Sequence, residues 1–127
     1  MKKKSLQKLT WSDRFTYVKN VVFEADDLGQ PGARFQVVKF KPGTIIKPHY
    51  HKKTYEIFYI HSGQGSLRIN QEKYPLKKDD IILCEPGDRH ALENTGKKDL
   101  VILIFKTNEV PDKDIFWDLS AKFHNVI

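Results

Sequence analysis

Five short runs of β-branched and aromatic residues recur along this chain, set off by turn residues. Arg34 to Lys41 stops at Pro42-Gly43, Tyr55 to Ile60 ends near Ser62-Gly63, and Ile81 to Cys84 closes at Pro86-Gly87. Ser66 to Asn70 alternates Leu67 and Ile69 with polar neighbours, and Leu100 to Phe105, the most apolar segment, follows Asn94-Thr95-Gly96. Short strands at this spacing predict an all-β fold, a small β-barrel or jelly roll. Helical periodicity is weak. A short C-terminal helix is expected between Pro111 and Lys122, where Ile115, Phe116, Leu119 and Phe123 would share one face. No repeat or linker divides the 127 residues, so residues 1–127 read as a single domain, long enough for a core of its own.

Composition removes several classes of function. The one cysteine, Cys84, excludes an intrachain disulfide framework and any zinc site built from several thiolates, and it reads as a small core residue. The net charge is +6, but 18 of the 22 basic residues are Lys, and only Arg14, Arg34, Arg68 and Arg89 could make the bidentate contacts that nucleic-acid readers favour. Scattered pairs such as Lys52-Lys53 and Lys97-Lys98 read as a solvated face, and no nucleic-acid partner is expected. Lys2-Lys3-Lys4 is followed at once by polar residues and not by a signal-peptide core, and no run of 18 apolar residues occurs. A soluble, cytoplasmic protein with no membrane partner is the expectation.

The chemistry is concentrated in one constellation. His49 and His51 flank Tyr50, Glu56 follows, and His90 lies far downstream after a Pro-Gly turn. On an extended strand, residues two apart point to the same face, so His49 and His51 project together. If the strand carrying Glu56 pairs antiparallel with the His strand, its carboxylate meets both imidazoles. Three neutral imidazoles and one carboxylate suit a divalent first-row metal with positions left for water or substrate. His61 should point away from Glu56, Phe58 and Ile60, and neither it nor His124 belongs to the constellation.

The same residues carry a family resemblance. From Gly43, five residues lead to His49-Tyr50-His51, four more to Glu56, and six more to Gly63, which resembles the first cupin motif. Asp79 to Asn94 resembles the second: Gly87, His90 and Asn94 fit, whereas Asp79 stands where a leading Gly is expected and Glu85 where a Pro is, with Pro86 one place later. Asp tolerates the φ > 0 that such a Gly would supply. The resemblance covers about residues 34–106. It implies a double-stranded β-helix whose mouth holds one metal (Fe, Mn, Ni, Cu or Zn) on His49, His51, Glu56 and His90.

The resemblance implies several activities, and a fold does not choose among them. The favoured reading is a small metalloenzyme acting on an oxygen-rich metabolite, as a dioxygenase or as a metal-assisted isomerase or decarboxylase of a sugar or keto acid. The alternative is a non-catalytic barrel that binds or senses a small molecule or sugar. Alternation nominates Gln36, Phe40, Phe58 and Ile60 as pocket residues, with Asn94 as a fifth candidate at a strand end. No spare Asp, Glu or His falls clearly on the inward face to act as a base. Apolar residues near both ends (Leu6, Leu9, Trp11, Ile115, Phe116, Trp117, Phe123) predict a homodimer, with the N-terminal segment adding a strand to the neighbour's sheet.

Overall fold

The computed structural model describes residues 1–110 and 113–118, and it is built almost wholly of strands. In chain order these are β1 (Ser12–Asp13), β2 (Val18–Phe23), β3 (Arg34–Phe40), β4 (Ile45–Tyr50), β5 (Tyr55–Ser62), β6 (Gln64–Ile69), β7 (Glu72–Lys77), β8 (Ile81–Cys84), β9 (His90–Glu93), β10 (Leu100–Thr107) and β11 (Phe116–Trp117). A single helical turn, α1 (Ala25–Leu28), follows β2. The strands form two antiparallel sheets, one in the order β1-β2-β3-β10-β5-β8 and the other in the order β11-β4-β9-β6-β7. This is the jelly roll, or double-stranded β-helix, that the strand spacing predicts. No helix among the described residues is long and apolar enough to cross a membrane.

The inner faces of the two sheets close over one core. Val38, Phe40, Phe58, Ile60, Leu100, Ile102 and Ile104 come from the six-stranded sheet, and Leu67, Leu76 and Leu92 from the five-stranded one. Period-two alternation puts these residues on one side of each strand, as in β10, where Leu100, Ile102 and Ile104 are buried between less buried neighbours. All five runs expected to be strands are strands. The polar β7 was not expected. It contains Pro75 and lies at the edge of its sheet, where a missing N–H costs no ladder bond.

Two turn positions deserve their residues. At Gly63 φ is +89°, and a Cβ there would collide with the Asp99 carbonyl oxygen. Asp79 adopts φ +74°, the left-handed conformation anticipated where a Gly would be usual, and its carboxylate accepts the Tyr59 hydroxyl at 2.5 Å.

Three expectations need correction. Phe116–Trp117 is a strand paired with β4, not part of a helix, because Phe116 stacks on Tyr50 and Trp117 packs on His49 across the pair. Leu119, Lys122, Phe123 and His124 lie outside the described residues. The N-terminal strands β1 and β2 pair within the chain, β2 directly with β3, so the segment extends its own sheet. Finally, β5 does not pair with β4. Residues 51–54 carry the chain from one sheet to the other, and Glu56 faces the His strand across the barrel interior.

Candidate metal centre

His49 lies near the end of β4 and His51 just beyond it, while His90 opens β9, which pairs with β4 so that His49 and His90 are Cα partners. Gly87 N–H donates to the His51 carbonyl at 2.7 Å, tying the Pro-Gly turn before His90 to the end of the His strand. The three imidazoles are buried, and each offers a ring nitrogen within 4.8 Å of the others. Glu56, at 4% exposure, arrives from the opposite sheet. Its Oε1 lies 2.8 Å from His51 Nε2 and 3.4 Å from His90 Nε2.

The outer hydrogen bonds set the tautomers. His49 Nδ1 donates to the Lys47 carbonyl at 2.8 Å, His51 Nδ1 to that of Asp114 at 2.5 Å, and His90 Nδ1 to that of Asp88 at 2.9 Å. With every Nδ1–H engaged, a neutral ring turns a lone pair inward from Nε2. Glu56 Oε1 is buried with no hydrogen-bond donor, so lone pairs converge on lone pairs. A proton shared between His51 and Glu56, or a bound cation, would resolve this. Three imidazoles and a carboxylate fit a first-row transition metal in both donor type and tautomer.

The electrostatics agree. Burial, helped by His90, pushes His49 down to about 3, so its ring is neutral at neutral pH. Burial would also lower His51, but the adjoining Glu56 carboxylate outweighs it and the net direction is upward. Burial would raise Glu56, yet the adjoining His51 and His90 rings and the nearby Lys106 charge hold it well below the carboxylate range. Burial pushes the Cys84 thiol upward, in keeping with its place in the core cluster.

A cavity of about 110 Å³ opens over these groups. Gln36, Phe40 and Phe58 line it. Gln36 is 4% exposed and its Oε1 has no partner, which leaves an acceptor facing the cavity wall. Ile60 lies instead in the core cluster. Asn94 is also elsewhere: its amide donates to the Phe40 and Lys98 carbonyls and its oxygen accepts Gly96 N–H, so it braces backbone. His61 is exposed.

Two residues at the site escaped the sequence reading. Lys106 lines the cavity with Nζ 3.8 Å from Glu56 Oε2. Its signal was available, since Leu100, Ile102, Ile104 and Lys106 alternate onto one face. Asp114 is buried, and its carboxylate accepts the N–H groups of Lys52, Lys53 and Thr54 and the Thr54 hydroxyl at 2.8–3.0 Å. It thereby holds the crossover from His51 to Glu56, and its own carbonyl orients His51. No local pattern marks a contact across some 60 residues.

A cupin-domain family model matches residues 36–106. The oxalate-binding protein of Thermotoga maritima is 36% identical over 69 residues, which cover 54% of this chain and 57% of that protein. The 5-nitrosalicylic acid 1,2-dioxygenase of a Bradyrhizobium species is 26% identical over 67% of this chain and 42% of its own length. This chain thus spans about half the length of these curated relatives. A solved Thermotoga maritima structure described as a predicted oxalate decarboxylase superposes with a TM-score of 0.68 at 29% identity, over 73% of this chain and 81% of that one.

Proposed function

The chain belongs to the cupin family, and from that premise we propose that it is a metal-dependent cupin that holds a small carboxylate at its metal. His49, His51 and His90 through Nε2, and Glu56 through its carboxylate, would bind one divalent ion among Fe, Mn, Ni, Cu and Zn. The observation that carries this reading is the donor-less, buried Glu56 Oε1 beside imidazoles whose Nδ1 protons are already engaged. When bound, such an ion supplies Lewis-acid or redox chemistry to an oxygen ligand.

The chain's own side chains would do the rest. Phe40 and Phe58 wall the cavity and keep water from the bound ligand. Gln36 Oε1 can accept a ligand hydroxyl, and the Lys106 ammonium places positive charge where a ligand carboxylate would develop its contact. Oxalate is the first ligand to test, because the Thermotoga maritima relative and the Thermotoga maritima structure both carry it in their names. The reaction class proposed is a dioxygenase, or a metal-assisted isomerase or decarboxylase. A relative named for binding oxalate supports the second reading, a barrel that captures its ligand without turnover. Protein purified without a histidine tag or chelator should contain about one metal ion per chain, and oxalate should bind by calorimetry only to the loaded form. A site that is empty and also refuses added metal would overturn the metalloenzyme and leave the binding barrel.

The single domain is further proposed to dimerise, through the outer face of β5 and β8 and not through its N-terminus. Ile57 and Leu83 are Cα partners there, and Tyr55 and Ile81 extend the patch at 43% and 69% exposure. Strand β8 is also a free sheet edge among the described residues. Sedimentation at micromolar concentration should give a dimer that Leu83→Glu converts to a monomer. A monomeric wild-type profile would end this proposal.

A further inference from the structure

A second chamber, about 280 Å³, adjoins the metal cavity and shares Tyr17, His51, Lys106 and Ile115 with it. Its charge is lopsided. Arg14, Lys19, Arg34 and Lys106 line it, against Glu109 and Asp114. Glu109 is claimed by Arg34 at 3.3 Å and Lys106 at 3.2 Å, and the Asp114 carboxylate is saturated by residues 52–54. Arg14 and Lys19 make no salt bridge among the described residues, so two positive charges face the chamber uncompensated.

The register explains why they meet there. Across β3, β10 and β5, Arg34, Lys106 and Glu56 are successive Cα partners, a charged row at one end of the barrel. Lys19 on β2 is the partner of Val38, which lines the metal cavity, so it projects from the same inner face. Half-burial and then the charges of Arg14, Lys106 and Arg34 lower its pKa from 10.5, with Glu109 opposing. Arg14 is exposed and Lys19 half-buried, and like charges crowded around one chamber cost stability unless an anion offsets them.

We propose that this outer chamber is an anion subsite: the ligand is a small acid with a second anionic group, carboxylate or phosphate, which Arg14 and Lys19 select while its other end reaches the metal. The proposal rests on the reading of the inner cavity as the metal and carboxylate site, and Lys106 sits at the junction of the two. The lopsided charge matches a dianionic group, and charge-assisted bonds to Arg and Lys are the strong kind.

Three probes share one 2-hydroxycarboxylate head and differ only in the tail: glycerate, malate and 3-phosphoglycerate. Each is titrated by calorimetry into the metal-loaded full chain. Malate or 3-phosphoglycerate should bind at least about 10-fold tighter than glycerate, with the gap narrowing in high salt. Whichever of the two leads identifies the tail as carboxylate or phosphate. In the Arg14→Gln/Lys19→Gln double variant that ratio should fall below about 2-fold, with metal content unchanged. Equal binding of all three probes, or a ratio that survives in the double variant, overturns the anion subsite while leaving the metal site standing. A metal-loaded chain that binds none of the probes and no oxalate brings down the small-acid reading, and the subsite falls with it.

Discussion

Replacing His51 with alanine should strip the proposed metal and leave the barrel folded. His51 is the imidazole nearest the Glu56 carboxylate, at 2.8 Å, so its loss removes one donor and loosens the placement of a second. Losing a group that only orients a ligand costs about 10–100-fold in metal affinity, and losing the ligand itself should cost at least about 100-fold. The fold survives for a separate reason. The core of Phe58, Ile60, Leu100 and Ile102 lies beyond the site, and truncation at the mouth forfeits one hydrogen bond to the Asp114 carbonyl and one contact with Glu56. That is about 1–3 kcal/mol against a typical total of about 5–15 kcal/mol. Elemental analysis and circular dichroism of the His51→Ala protein, beside His61→Ala as a control at an exposed histidine, separate the two effects. Wild-type metal content in the His51→Ala protein would refute the assignment of this ligand.

The four converging side chains were legible because each sits in a local pattern that physics constrains. His49 and His51 are two apart on an extended segment, and Gly63 and Gly87 mark turns whose positive φ the structure displays. Even the irregular position was readable, since Asp79 takes the conformation that glycine would have supplied. The route by which Glu56 arrives was not legible. Spacing says that a carboxylate lies near two imidazoles, but it cannot distinguish a neighbouring strand from the opposite sheet, which depends on the crossover at residues 51–54. The end segment misled for a related reason. Ile115 and Phe116 fit a helical face as well as a strand, and the choice is made by Tyr50, His49 and Lys52, to which no local periodicity points. Contacts between distant segments decide what short patterns leave open.

Asp114 is where that long-range contact matters most, and its removal should be felt in stability and in metal binding together. The Asp114→Ala variant orphans three backbone N–H groups and the Thr54 hydroxyl, with two of the four bonds buried and two part-buried. Some of these reach water once the loop relaxes, so the expected cost is roughly 3 kcal/mol and not the sum of four charge-assisted bonds. Urea unfolding of the metal-free proteins measures it directly. Burial alone would raise the Asp114 pKa, but the N–H groups of Lys52, Lys53 and Thr54 outweigh it and bring it down to about 2 from an ordinary 3.8. A carboxylate lowered on folding contributes its stability fully above its unfolded pKa. That contribution should therefore be complete above about pH 4 and fade as the pH drops toward 2, a component of acid unfolding that Asp114→Ala lacks. The loop it holds carries His51 into place, so metal affinity should fall about 10–100-fold even though Asp114 is not a ligand. Asp114→Asn keeps one acceptor oxygen without the charge and should lie between the two. An Asp114→Ala protein as stable as wild type and with the same metal affinity would show that the crossover stands without this carboxylate.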